Sequence, residues 1–351
     1  MRYRTYRTAG QRRRRRKALL RQSLLALAGL VLVGGIALGV IAIVQAGQEA
    51  EPTVKQEELP RQPEVPETPL PQPKPEPEPE PLPAPPADGE AMAQIGDEVE
   101  STCCAVYCLE DGVLVAARDA DAQIYPASMT KVMTLLTAET LLEDPEEPFV
   151  MTQEILDPLY RQGATLTGVA AGESLTLREY FYAAALRSAG DAACAIVESL
   201  CGSEAALVEE MNRLAGELRL SETTHFSNTS GLFAEDNTCT ARDIAAIMAA
   251  AMEHELCREV LSTANYVTAA TESQPEGIPL RNKYLDWFEE KQPEGFTVTA
   301  CKNGYIRQSK NCLVSYGQGQ SGKHYICVTA GAGTAARLMQ DQRLLLSTYG
   351  K

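Results

Sequence analysis

Histidine is almost missing from this chain of 351 residues. There are three, at 225, 254 and 324, beside a single tryptophan and six phenylalanines. Isolated histidines argue against a Ser-His-Asp hydrolase and against a His-based metal centre. Trp287 is read as a packing residue. Cysteine is absent from the first hundred residues, and all ten lie beyond them at 103, 104, 108, 194, 201, 239, 257, 301, 312 and 327. Adjacent Cys103 and Cys104, and the irregular spacing of the rest, define no disulfide framework. The Cys-x3-Cys at 104 and 108 lacks a second ligand pair, so neither a metal nor another cofactor is expected. Disulfides and small buried thiols both remain open.

Acidic residues are absent from positions 1–48, which hold ten Arg and Lys. The chain totals −15, so the remainder carries −25. Between Ser23 and Ala46 no charged residue occurs, and Leu, Val, Ile, Ala and Gly dominate. Such a run matches the roughly 20 residues needed to cross a bilayer. The cluster Arg12–Lys17 and Arg21 just before it puts the N-terminus in the cytoplasm. Residues 1–22 are therefore expected to be a basic cytoplasmic arm and 23–47 a membrane-spanning signal anchor, with everything beyond outside the cell membrane. That excludes nucleic acid as the partner of the arginine run. A cleaved signal peptide is the alternative, because Val44-Gln45-Ala46 ends in a small-residue pattern. The apolar run is longer than the usual 7–15 residues of a signal core, which favours the anchor.

Residues 48–94 are read as a linker built largely of Pro and Glu. Such a composition cannot bury a core. Extended polyproline II at about 3.1 Å per residue would reach on the order of 100 Å, suited to a target held away from the membrane.

The folded part is expected over 95–351. Tyr125-Pro126-Ala127-Ser128-Met129-Thr130-Lys131 opens a helix predicted to run to Leu142. Pro126 suits the helix entry, where its missing N–H has no intrahelical partner. Ser128 and Lys131 are three apart and share one face. A neutral amine close to a hydroxyl can act as its base, and burial or a second cation can strip the lysine of its charge. The helix N-terminus adds free N–H groups where an oxyanion could develop. Roughly one S-x-x-K is expected by chance in a chain this long, so the motif gains weight only from segments further along the chain.

Strands are predicted at Cys103–Leu109 and Val113–Ala117, joined by the turn Glu110-Asp111-Gly112. A second helix begins after Thr176, with Glu179 completing a capping box. It breaks at Arg187-Ser188-Ala189-Gly190, where a Gly in left-handed geometry would suit the turn. Helices are expected over 191–201, 204–220 and from Thr240 to Met252, with a loop at 228–237. Then Phe296–Cys301 runs as a strand into Lys302-Asn303-Gly304-Tyr305. A hairpin (312–316 and 324–329) and a final helix from Thr334 to Leu346 close the chain. Lys-x-Gly on a strand puts a cation where a missing side chain lets a substrate backbone approach.

In their motifs and order these segments resemble the serine D-Ala-D-Ala carboxypeptidases, the low-molecular-weight penicillin-binding proteins of peptidase family S11. The likeness runs over about 95–351. It includes Gly172–Glu179, Phe226-Ser227-Asn228, Ser230-Gly231-Leu232 and Thr240–Ala245 as well as the S-x-x-K, S-x-N and K-T-G positions. It implies an α/β (α+β), β-lactamase/transpeptidase-like fold: an antiparallel sheet of about five strands flanked by helices, with an inserted helical subdomain. It implies that Ser128 attacks the carbonyl of the penultimate D-Ala of a peptidoglycan stem peptide, and that β-lactam antibiotics acylate the same hydroxyl. Lys131 would be the base and Ser188 the proton relay. Lys302 would attract the substrate carboxylate and help depress the pKa of Lys131, and the N–H groups of Ser128 and Tyr305 would form the oxyanion hole. Gly190, Asn303, Gly304 and Tyr305 would line the substrate site.

Two positions depart from the family pattern. Gly190 stands where Asn is usual, and Asn303 where Thr is usual. Losing an amide that contacts a substrate carbonyl or a charged lysine costs roughly 1.5–3 kcal/mol, or about 10–100-fold in rate. A slowed enzyme is expected, and the alternative is a catalytically degenerate wall-binding or regulatory module.

Overall fold

The structure, a computed structural model, describes residues 85–351. The expected basic arm, the expected anchor at 23–47 and the expected linker up to residue 84 lie outside the described residues. Among the described residues no helix is long and apolar enough to cross a membrane.

In chain order the strands are β1 (Ala87–Gln94), β2 (Cys103–Cys108), β3 (Val113–Arg118), β4 (Pro148–Val150), β5 (Ser174–Thr176), β6 (Asn265–Val267), β7 (Pro279–Arg281), β8 (Phe296–Ile306), β9 (Lys310–Gly319) and β10 (His324–Ala332). The α-helices are α1 (Thr130–Leu141), α2 (Gln153–Gln162), α3 (Leu177–Tyr182), α4 (Gly190–Cys201), α5 (Glu204–Glu217), α6 (Ala241–Glu253), α7 (Glu255–Leu261), α8 (Lys283–Glu290) and α9 (Ala335–Tyr349).

One sheet, ordered β1-β3-β2-β10-β9-β8, organises the domain. Five of its strands are antiparallel neighbours, as expected. The sixth, β1, pairs parallel with β3 and lies within the stretch read as linker, so the folded part begins at Ala87 rather than at residue 95. Its sequence hides it, because all eight residues are exposed or only half-buried and no apolar alternation develops. Backbone bonds attach it instead, including Ala87 N–H to the Gly112 carbonyl at 3.2 Å and, just past its end, Ile95 N–H to that of Ala117 at 3.0 Å.

The centre of the sheet is buried on both faces, which explains the unbroken Cys-Cys-Ala-Val-Tyr-Cys of β2. Cys103, Ala105 and Tyr107 face one apolar cluster, shared with α1 and α6. Cys104, Val106 and Cys108 face the other, with α8 and α9. Small thiols fit a strand covered on both sides, and all ten cysteines are free. The α6 helix buries 11 residues, six of them alanines, because it packs against α1, β2 and β10 at once.

The segment between α1 and β8 is mainly helical, as expected. Both α3 and α6 start with capping boxes, Thr176 with Glu179 and Thr240 with Asp243. The helix after Thr176 loosens into a π turn over Ala183–Arg187. It is Ser188, not Gly190, that takes the left-handed conformation, at φ +59°. Gly190 is instead the first residue of α4.

Candidate active site

Ser128 sits in a 3₁₀ turn, Ala127–Met129, that feeds directly into α1. Ala127 has φ +49°, left-handed for a residue with a side chain, which costs about 1–2 kcal/mol. Neighbours on two sides impose it. Gly231 lies so close that a Cβ there would be 1.8 Å from the Ala127 carbonyl oxygen. On the β8 side a Cβ on Gly304 would meet the Pro126 carbonyl at 2.8 Å and the Ser128 nitrogen at 3.1 Å. The serine turn is wedged between two backbones that can approach only because they carry glycine.

One turn into the helix, Lys131 brings its Nζ to 3.5 Å from Ser128 Oγ and donates to the Ser230 carbonyl at 2.6 Å. The first distance is long for a hydrogen bond, as is common before substrate is bound. Lys131 is 2% exposed. Burial lowers its pKa to about 8, partly offset by the Cys194 thiol and the Asp191 and Glu204 carboxylates. A neutral amine has two N–H bonds and one lone pair, so bonding to Ser230 leaves the lone pair for the serine proton.

Ser188 faces this pair from the end of the π turn. Its Oγ accepts a 3.0 Å bond from Lys302 Nζ, which also donates to the Asn303 carbonyl at 3.1 Å. Lys302 is fully buried, and burial followed by repulsion from Lys131 lowers its pKa to about 7. The repulsion is mutual, so a charge on either lysine makes the other easier to deprotonate. Strand alternation turns Lys302 and Gly304 towards the serines.

A cavity of about 660 Å³ opens beside Ser128, Lys131 and Ser188, with Gly190, Asn303 and Tyr305 in its wall. Every expected site residue is therefore in one place. Lys131 contacts Ser128 and Lys302 contacts Ser188, Gly190, Asn303 and Tyr305 line the opening, and Gly304 supports the serine turn from behind. The Ser230 carbonyl and its supports were not foreseen. Asn228 Oδ1 accepts from Gly231 N–H at 2.7 Å and from Ser230 Oγ at 3.2 Å, and Thr134 Oγ1 donates to the Thr229 carbonyl at 2.7 Å. A backbone oxygen leaves no mark in a sequence. Arg187, Arg281 and Lys283 also reach the cavity without an advance signal.

Residues 90–334 match the family model for peptidase S11, D-alanyl-D-alanine carboxypeptidase. This chain belongs to the S11 family. It is 25% identical over 248 residues to D-alanyl-D-alanine carboxypeptidase DacF of Bacillus subtilis, covering 70% of this chain and 61% of that protein. With DacC of Escherichia coli it shares 27% over 251 residues, covering 68% and 58%. The chain thus spans about three-fifths of the curated relatives it matches. The Streptomyces K15 DD-transpeptidase has the same fold, at TM-score 0.65 and 21% identity over 72% of this chain and 97% of that one. Within the S11 pattern the two departures, Gly190 and Asn303, both face the cavity. Neither touches the Ser128–Lys131 or Ser188–Lys302 contact through its side chain.

Proposed function

We propose that this protein is a serine D-Ala-D-Ala carboxypeptidase that trims the terminal D-Ala from peptidoglycan stem pentapeptides. One observation carries the proposal: the Ser128–Lys131 pair and Ser188, backed by the buried Lys302, line one cavity. Neutral Lys131 takes the proton of Ser128 as Oγ attacks the penultimate D-Ala carbonyl. The developing oxyanion is stabilised by the N–H groups of Ser128, at the start of a helix, and Tyr305 on β8. As the C–N bond breaks, Ser188 passes a proton to the departing amine and is resupplied by Lys302, its hydrogen-bond donor. Water then cleaves the ester and returns Ser128. Lys302 lies behind Ser188, so it draws the substrate carboxylate by its charge through the relay serine. Asn303 borders the bound peptide, Gly304 holds the serine turn from behind, and Gly190 keeps its part of the wall open.

β-Lactams enter the same path and remain as esters on Ser128. The charge-free run Ser23–Ala46, preceded by the arginine cluster, supports an anchor in the cell membrane with the catalytic domain outside.

The test is fluorescent penicillin labelling of the full chain and of Ser128→Ala, together with D-Ala release from a pentapeptide ending in D-Ala-D-Ala. A Ser128-dependent adduct with D-Ala release is expected. Absence of both would instead support a wall-binding module that has lost its chemistry through Gly190 and Asn303.

A further inference from the structure

Helix α5 packs against α1, the helix that bears Lys131. Two of its glutamates, Glu210 and Glu217, pair with Arg213 of the same helix. Glu204, exposed in the first turn, forms no ion pair among the described residues. It reaches a loop further along the chain instead. Its Oε1 accepts from Thr229 N–H at 2.9 Å and from Thr229 Oγ1 at 2.8 Å. A carboxylate in the first turn of a helix is favoured by the helix dipole alone. The dipole does not require two bonds to one distant residue, and ordering a long side chain to make them costs conformational entropy.

Thr229 is buried and is also held from the inside, where Thr134 Oγ1 of α1 donates to its carbonyl at 2.7 Å. The next residue, Ser230, supplies the carbonyl that accepts from Lys131 Nζ at 2.6 Å. Gly231 after it lies against the Ala127 carbonyl of the serine turn. Three consecutive residues therefore meet Glu204, the base and the serine turn in that order. Asn228 orients the Ser230–Gly231 peptide from within the loop, accepting from Gly231 N–H at 2.7 Å. Helix α5 fixes where the loop stands, and it does so at two points. Asn212 accepts from Phe226 N–H at 2.9 Å and donates to the Phe226 carbonyl at 2.8 Å, and Glu204 holds the residue next to Ser230. The charged and titratable groups around the Lys131 amine are Asp191 and Cys194 from α4, Glu204 from α5 and Lys302 from β8. The Glu204 carboxylate is among those that hold the pKa of Lys131 up against burial.

We propose that Glu204 is a positioning residue for the base: by holding Thr229 from the surface, it keeps the Ser230 carbonyl against Lys131 and the amine aimed at Ser128. It touches neither substrate nor the reacting atoms. If that carbonyl drifts, the amine turns with it, and its lone pair no longer meets the Ser128 proton. The inference rests on Ser128 and Lys131 being nucleophile and base, as proposed above.

The rate at which fluorescent penicillin acylates the full chain, followed across the neutral pH range, tests it with Glu204→Ala and Glu204→Gln. Glu204→Ala is expected to acylate about tenfold more slowly at its optimum, the effect of a misplacement well short of an ångström. Its optimum moves to lower pH, because a looser acceptor and a missing carboxylate both favour the neutral amine. Glu204→Gln keeps an oxygen for both Thr229 bonds and recovers most of the rate, while its optimum still falls for want of the charge. Urea unfolding of each variant checks that the rates belong to folded protein. Should Glu204→Ala fail to fold, Glu204→Asp takes its place: it keeps the charge, falls one methylene short of Thr229 and is expected to be slow. Glu204→Ala, or Glu204→Asp in its place, with the rate of the unmodified chain overturns the role and leaves the carboxypeptidase reading intact. So does a slow Glu204→Ala whose optimum has not moved, or a Glu204→Gln as slow as Glu204→Ala, since neither fits a bond acting through Thr229 on the amine. Absence of a Ser128-dependent adduct in the unmodified chain overturns both.

Discussion

Lys302 Nζ donates a 3.0 Å hydrogen bond to Ser188 Oγ from a position with no solvent exposure. Lys131 stands in the same relation to Ser128, at 3.5 Å and almost as deeply buried. Both serines thus line one cavity, each with a buried lysine against it, and the low dielectric around them makes their protons interdependent.

That interdependence sets the pH dependence. Both lysines are depressed by burial, to about 8 for Lys131 and about 7 for Lys302, and Lys131 further lowers Lys302. The chemistry needs one proton on the pair, with Lys131 neutral and Lys302 charged. Singly protonated pairs are most abundant between those two values; their proton rests mainly on Lys131, and the competent form with the proton on Lys302 is the minor one, rising and falling with the same total. A bell-shaped kcat/KM with its maximum at about 7.5 is expected. Activity falls at low pH because the base is charged, and at high pH because the relay has lost its proton. A flat profile from pH 6 to 9 would contradict the lysine base.

Ser188→Ala removes both the relay hydroxyl and one of the two acceptors of Lys302. Turnover is expected to fall about a hundredfold, the lower range for a positioned proton-transfer group. Rapid-quench measurement with a D-Ala-D-Ala peptide places the loss in acyl transfer. A Ser188→Ala enzyme with unchanged turnover would remove Ser188 from the mechanism.

Gly304→Ala introduces a methyl 2.8 Å from the Pro126 carbonyl and 3.1 Å from the Ser128 nitrogen. These are backbone atoms and cannot rotate away, so β8 or the serine turn must shift. Displacing a nucleophile by a fraction of an ångström lowers penicillin acylation about tenfold or more. The loss of stability is about 1–3 kcal/mol, as for overpacking elsewhere. Urea unfolding and acylation rates on one preparation separate the two effects.

Gly190→Asn combined with Asn303→Thr restores the family's side chains in the cavity wall. Position 190 has room for the first carbon, and position 303 is half-exposed at the sheet edge. The double variant is expected to be acylated by penicillin about tenfold faster, the worth of one or two recovered hydrogen bonds. A rate equal to or below that of the unmodified chain would mean that the site has adapted to its substitutions.

The ten cysteines are free, and eight of them are buried. Adding reductant is therefore expected to leave the thermal unfolding midpoint unchanged. A fall in the midpoint would reveal a disulfide joining two of them.

Much was legible in the residues because it depends on local chemistry. Ser128 and Lys131 share a helix face by spacing alone. Thr176 with Glu179 announces a helix start, and β2, β3 and β8–β10 carry the apolar residues that a covered sheet requires. Strand β1 was hidden, because an edge strand held by backbone bonds needs no apolar pattern. The left-handed residue at the second motif could not be assigned either. Glycine at 190 was the obvious candidate by propensity, but a π turn inserted before it moves that geometry to Ser188. Nor could any linear pattern show that Ser230 lends its carbonyl to Lys131, or that Arg187 and Gly190 share a wall. Residue order dictates which chemical groups exist and how neighbours along one helix or strand are aimed. Which groups from distant segments meet, and how far each is cut off from water, follows from the packing of helix against sheet. Lysines 171 residues apart become interdependent bases only once the sheet edge is folded against the helix that bears the serine.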